Sequence, residues 1–168
     1  MKTIMSGDLV AGRNGCTVGS FGARMAFEVR LLGSVEALVD GHSIALGGSK
    51  QRSVVALLAL NANTTLSGDE LIDGLWGDDP PAPAPKNIQR YVSRLRKVLD
   101  LNGLSGGQSV ITFRAPGYVL TVPPEQIDAR RFERIVGEAE ARAAIGDAAG
   151  AAASFTAALR LWRGAPLV

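Results

Sequence analysis

The chain has a single cysteine, Cys16, and a single histidine, His42, among its 168 residues. One cysteine cannot close an intrachain disulfide, and no Cys-based metal site is expected. His42 follows Asp40-Gly41 and reads as a turn residue. Far apart, these two side chains supply neither a metal cluster nor a nucleophile with its base, and no Gly-rich phosphate loop is present. An enzyme is therefore not expected, nor any cofactor or bound metal. No apolar run approaches transmembrane length. Ser6-Gly7-Asp8 falls where a signal peptide needs its apolar centre. The expectation is a cytoplasmic protein with no membrane partner.

Excess charge of one sign is also missing. The formal net charge is +2, and residues 27–126 hold nine Lys/Arg against ten Asp/Glu. The signs are segregated instead. Asp69, Glu70, Asp73, Asp78 and Asp79 form an acidic block, followed by five positive charges and no negative one between Lys86 and Lys97. On a helix, Ile88, Val92, Leu95 and Leu99 share one side, flanked by Tyr91 and Val98. Lys86, Arg90, Ser93 and Lys97 lie opposite, with Gln89 and Arg94 at the edges. Such a face, with Asn87 in the same run, presents donors for phosphates and base edges. Any nucleic-acid contact is expected from this face, with the acidic block turned away.

Residues 1–26 are Gly-rich and aperiodic, and read as a mobile arm, with Met25 a candidate start. Phe27 to Leu32 alternates like a strand. Val35 to Val39 leads through the tight-turn pair Asp40-Gly41 to Ser43-Ile44-Ala45-Leu46, which completes a small antiparallel sheet. Ser49 is placed to cap an apolar helix over Lys50–Asn61. Thr64-Thr65-Leu66 suits a short bridging strand. Ser67 and Glu70 form a capping box for a helix carrying Leu71, Ile72, Leu75 and Trp76 and ending at Gly77. Four prolines between Asp78 and Pro85 make a stiff connector, and Pro85 suits the first turn of the basic helix. After a Gly/Ser/Asn stretch, Val110–Arg114 and Tyr118–Val122 flank Ala115-Pro116-Gly117, a hairpin whose Pro-Gly pair fits a type II turn. Beyond Pro123-Pro124 two Ala-rich helices, Arg130–Ala144 and Ala148–Arg163, make an antiparallel pair around Gly146-Asp147.

Sheet, helix, helix, basic helix and hairpin, in that order, describe a winged helix-turn-helix. The fold class expected is α+β, with an N-terminal antiparallel sheet, a C-terminal wing hairpin and a following helical pair. The basic helix would enter the major groove. Arg114, beside the hairpin tip, would reach the minor groove or nearby phosphates.

Five segments then carry a family resemblance: Phe27-Glu28-Val29-Arg30-Leu31-Leu32-Gly33; Gly47-Gly48-Ser49-Lys50-Gln51-Arg52; Leu71-Ile72-Asp73-Gly74-Leu75-Trp76-Gly77; Tyr91-Val92-Ser93-Arg94-Leu95-Arg96-Lys97; and Pro116-Gly117-Tyr118. In this order they resemble the Streptomyces antibiotic regulatory protein family, transcriptional activators with an OmpR-type winged helix. Residues 127–168, with Phe132, Phe155, Leu161-Trp162-Arg163-Gly164 and Pro166-Leu167, resemble the opening of that family's bacterial transcriptional activator domain, a bundle of tetratricopeptide-like helix pairs. After the aperiodic arm over 1–26, the resemblance implies a DNA-binding domain over 27–123 and a helical domain over 127–168. Against the family, the residues before Met25 are expected to be an extension and the helical domain to be truncated.

The resemblance implies binding of double-stranded DNA at promoter direct repeats, with room for self-association there, and recruitment of RNA polymerase holoenzyme. By position, Arg94 resembles the base-reading arginine. Arg90, Ser93, Arg96 and Lys97 fall at or near backbone-contacting positions, Arg114 matches the wing arginine, and Lys50 and Arg52 resemble phosphate neighbours. Arg96 lies nearer the apolar side of its helix, where pairing with Asp100 or Glu70 competes with DNA contact. The connector from Trp76 to Pro85, with Asp78 and Asp79, corresponds to a polymerase-contact loop; a solvated spacer is the alternative. A winged helix that serves only as a protein-interaction module is the competing function. The five-positive run argues against it.

Two helices alone cannot surround Phe132, Val136, Phe155, Leu159 and Trp162. The short Pro123-Pro124 link favours folding of this apolar face back onto the winged-helix sheet.

Overall fold

A computed structural model describes residues 26–102 and 109–167. Apart from Ala26, the expected arm lies outside these residues, as does 103–108 of the Gly/Ser/Asn stretch. The chain opens with an antiparallel sheet of β1 (Phe27–Arg30), β2 (Glu36–Val39) and β3 (His42–Ile44). Phe27 faces Val39 and Ala37 faces Ile44 across it. Phe27 and Val29 are buried while Glu28 and Arg30 are half-buried, as a period of two requires. Asp40 (φ 49°) and Gly41 (φ 81°) supply the two positive φ values of a type I′ hairpin turn. His42 stands just past the turn, as the first residue of β3.

The helical core follows: α1 (Ser49–Leu60), α2 (Gly68–Trp76) and α3 (Ala84–Leu101). Ser49 does not cap α1. Gly48 takes the extended cap conformation, and Gln51, three residues on, accepts its N–H at 3.3 Å. Ser49 is thereby moved into the first turn. The capping box of α2 forms as expected. Ser67 Oγ accepts the Glu70 N–H at 3.1 Å, and Glu70 accepts the Ser67 N–H at 2.7 Å. The Ser67 backbone bond holds the Glu70 carboxyl below its ordinary pKa. α3 begins two residues before Lys86 because Ala84 is a buried anchor and Pro85 loses no helical hydrogen bond in the first turn. The connector is accordingly 77–83. Ile88, Val92, Leu95 and Leu99 are buried against Val54 and Leu58 of α1 and Leu71 of α2 in one core. Tyr91 and Val98 sit half-buried on its flanks.

A second sheet has the order β4 (Leu66–Ser67), β6 (Gly117–Leu120), β5 (Ile111–Arg114), so β5 is an edge strand. The hairpin turn is not type II. Arg114 pairs with Gly117, leaving Ala115-Pro116 as a two-residue turn with a cis peptide bond, which is type VI geometry. Gly117 is not in the left-handed region. It is needed for another reason: a Cβ there would collide with the Leu66 carbonyl oxygen of β4.

Helices α4 (Asp128–Ala144) and α5 (Ala148–Leu159) form the pair. It does fold back on the N-terminal sheet, through backbone and charge contacts together with Ile127, which is buried in the common core. Ile127 bridges Val29 in parallel, and Asp128, 1% exposed, accepts the N–H groups of Leu31 and Leu32 at 2.7 and 3.0 Å. α5 ends four residues before Arg163, because the chain turns away and the Arg163 N–H donates to the Leu32 carbonyl at 2.8 Å. Gly33, at φ 143°, admits this approach. The expected apolar packing on the sheet is not made by α5. Phe155, Leu159 and Trp162 are exposed, and Phe132 and Trp162 meet edge-to-face at 5.8 Å. Tertiary pairing at Leu31–Leu32 has displaced the last helical turn. No helix among the described residues is long and apolar enough to cross a membrane.

Candidate nucleic-acid interface

Burial of the Ile88–Leu99 stripe decides which way the polar side of α3 points. Lys86, Gln89, Arg90, Ser93, Arg94 and Lys97 are exposed, and Asn87 is half-buried. At about 100° per residue, Lys86, Arg90 and Lys97 stand opposite the buried stripe. Gln89 and Ser93 lean toward the hairpin, and Arg94 leans to the other flank. Arg90 donates to Asn87 Oδ1 at 2.9 Å, and its guanidinium lies 5.9 Å from the Tyr91 ring. This contact fixes one cation of the row above the half-buried tyrosine.

An open groove of about 410 Å³ separates α3 from the hairpin, lined by Gln89, Ser93, Arg96, Lys97, Asp100 and Tyr118. Arg96 does not pair with Asp100 or Glu70. Its Nε donates to the Ile111 carbonyl on the edge strand β5 at 2.8 Å, and its guanidinium lies 5.8 Å from the Tyr118 ring. An edge strand leaves outward carbonyls unpaired, and one turn of α3 sets Arg96 against such a carbonyl. Arg114 is exposed at the end of β5, directly before the turn. Phe113 beside it is 62% exposed and packs edge-to-face on Tyr118 at 5.5 Å.

The acidic block is not turned away as a unit. Asp69 lines a cleft of about 140 Å³ with Gln89, Phe113 and Tyr118. The Ser67 capping box sets the first turn of α2 beside Gly117, and a carboxylate there is favoured by the helix dipole. Asp78 and Asp79 are exposed in the connector. Lys50 is grouped with that connector. Its ammonium donates to the Leu75 carbonyl at the end of α2 and lies 5.2 Å from the Trp76 ring. Arg52 donates to the Gly47 carbonyl at 3.3 Å. Both cations are thus held at the start of α1. Among the described residues no group of His, Cys, Asp or Glu is arranged to hold a metal ion.

Residues 41–120 match the family described as transcriptional regulatory protein, C terminal, and residues 127–168 match the bacterial transcriptional activator domain. The chain is 36% identical over 146 residues to the transcriptional regulatory protein EmbR of Mycobacterium tuberculosis, covering 87% of this chain and 37% of EmbR. It is 36% identical over 140 residues to the regulatory protein AfsR of Streptomyces coelicolor, covering 83% and 13%. To DnrI of Streptomyces peucetius it is 35% identical over 145 residues, covering 84% and 53%. A solved structure of M. tuberculosis EmbR, in complex with a low affinity phosphopeptide, superposes with a TM-score of 0.77 over 85% of this chain and 38% of that one.

The chain belongs to the Streptomyces antibiotic regulatory protein family. Its winged helix is of the OmpR type found in transcriptional regulators. The chain spans 37% of EmbR and about half of DnrI. Within this family's fold, α2 and α3 form the helix-turn-helix and β5–β6 the wing. Apolar periodicity and charge in the sequence give no functional role to Phe113, Tyr118 or Asp128. Hairpin register pairs Phe113 with Tyr118, and that cross-strand aromatic pair was the available sign. Asp128 had no comparable sign, since the Leu31 and Leu32 N–H groups it accepts lie nearly a hundred residues back in the chain.

Proposed function

We propose that this chain binds double-stranded DNA sequence-specifically at direct repeats near promoters and recruits RNA polymerase holoenzyme as an activator. One observation carries this reading. α3 turns Lys86, Gln89, Arg90, Ser93, Arg94 and Lys97 outward beside a wing that ends in exposed Arg114. In it Arg94 reads a base, while Lys86, Asn87, Gln89, Arg90, Ser93 and Lys97 position α3 on the phosphates and groove edges. Arg114 serves the wing side. The DNA-binding unit is 27–123 and the helical unit 127–168. Two repeats side by side bring two copies together on DNA. Trp76, Asp78 and Asp79 offer an acidic, proline-stiffened surface to the polymerase, and Lys50 steadies it from behind. The names of EmbR, AfsR and DnrI as regulatory proteins support this reading.

The test is a mobility shift over a salt series, using promoter DNA that carries a direct repeat and the same DNA with the repeat scrambled. Expected are preference for the repeat and a linear fall of log affinity with log salt. Equal affinity for both DNAs would overturn sequence-specific binding.

A further inference from the structure

Arg96 is the fourth of the five cations in the basic run, yet it is half-buried and already spoken for. Its Nε–H is committed to the Ile111 carbonyl at 2.8 Å, and its planar head lies 5.8 Å from the Tyr118 ring. Ile111 and Tyr118 belong to the two strands of the wing, and Tyr118 in turn holds Phe113 at 5.5 Å. One side chain of α3 thus touches both wing strands. No other charged residue of α3 among those described does so through a hydrogen bond. β5 is the outer strand of its sheet, so apart from β6 nothing in the sheet fixes its position.

We propose that Arg96 is a positioning residue for DNA recognition. It braces the wing against α3 and so sets the distance between groove contacts made by α3 and those made by Arg114. The inference rests on the DNA-binding reading above. Arginine suits the task because its fork can bond a carbonyl at Nε while its face lies along an aromatic ring. Lysine keeps the charge but cannot make both contacts. A brace and a phosphate contact therefore respond differently to substitution.

The experiment compares Arg96→Met, Arg96→Lys, Arg114→Ala and the double variant Arg96→Met/Arg114→Ala. Operator affinity and hydroxyl-radical footprints are measured for each, with amide exchange on the free proteins. Arg96→Met is expected to weaken operator binding about tenfold, erasing protection at the wing end of each repeat while protection under α3 stays. A general loss of folded protein would fade the whole footprint evenly. In the Arg114→Ala background, Arg96→Met is expected to weaken binding less than twofold further, because both changes remove the same wing contact. Arg96→Lys is expected to behave as Arg96→Met. Without DNA, exchange in 111–114 should rise in Arg96→Met while exchange in 88–95 stays slow.

Full additivity in the double variant, or rescue by lysine, would make Arg96 a direct phosphate contact and overturn the brace. Unchanged exchange in 111–114 would overturn it without reference to DNA. A failure of the functional reading looks different: none of the variants, Arg114→Ala included, would alter operator affinity, while the exchange result would still report on the brace itself.

Discussion

Asp128 and Leu31 are 97 residues apart in the chain, and the Asp128 carboxylate accepts the Leu31 backbone N–H at 2.7 Å. The same carboxylate accepts from Leu32 at 3.0 Å and from Ala129 at 2.8 Å, and Arg163 stands 3.6 Å from it. β1 ends at Arg30, so Leu31 and Leu32 have left the ladder and need acceptors of their own. Asp128→Ala would strand these buried donors at about 1–3 kcal/mol apiece. Expected are faster amide exchange over 128–167 and earlier urea unfolding of that segment, with DNA affinity of the winged helix kept. Unaltered exchange would show that Ile127 and Arg163 hold the helical pair without it.

Glu28 adds a pH-dependent part to the same junction. It bonds Arg30 at 3.0 Å on its own strand and Arg131 of α4 at 2.9 Å. Burial alone would raise its pKa, but the two guanidinium groups outweigh burial and hold it below the ordinary value of 4.5. A depressed folded pKa means that Glu28 stabilises the fold above the unfolded value. That contribution fades as pH falls through the lower, folded value. The thermal midpoint of Glu28→Gln should trail the parent at neutral pH, and the gap should narrow progressively as pH falls below the ordinary value of 4.5. A gap that stays constant down to pH 3 would remove Glu28 from the docking.

Gly117 tests what the wing turn requires. Were left-handed backbone the issue, Gly117→Ala would be far milder than Gly117→Val. The obstacle is instead the Leu66 carbonyl, which any Cβ at 117 would strike. Both variants are therefore expected to separate β6 from β4, disturb the Ser67 cap and lose about 1–3 kcal/mol, as overpacking does. DNA binding should weaken with them. A Gly117→Ala protein as stable as the parent would show that β4 shifts freely.

These cases show where the sequence was legible. Ile88, Val92, Leu95 and Leu99 were readable because a buried helix repeats its apolar residues, and Ser67-Glu70 because a capping box is local. Their roles depend on neighbours within four residues. The exposed cations on α3 follow from the same periodicity. What escaped was settled at a distance. Arg96 finds a carbonyl fifteen residues on, Lys50 a carbonyl twenty-five residues on, and Asp128 two N–H groups nearly a hundred residues back. α5 ends at Leu159 rather than Arg163 for the same reason. Helical propensity continues through Leu161-Trp162, but Leu32 takes the Arg163 N–H.

The connector offers a direct test of activation. Asp78→Ala with Asp79→Ala leaves α2 ended by Gly77 and α3 begun at Ala84, so the helix-turn-helix should persist. Expected are unchanged operator affinity and reduced transcript from a reconstituted promoter. Full transcription at saturating occupancy would return 77–83 to the role of spacer.

Arg94 and Lys97 separate reading from holding. Both are exposed on α3, yet they are three residues apart and so lean differently around the helix. Arg94 presents a planar fork able to bond a guanine edge in two places, while Lys97 presents a point charge. Arg94→Ala is expected to lose about 1–3 kcal/mol on operator DNA and to relax preference at one base pair, with little change on random DNA. Lys97→Ala should weaken both DNAs alike and flatten the salt slope by about one unit. Competition with random duplex at several salt concentrations measures both quantities in one experiment. If Arg94→Ala leaves the ratio of operator to random affinity intact, another residue of α3 reads the base. Gln89 would then be the next to examine, since it is exposed, leans toward the wing and can bond an adenine edge in two places.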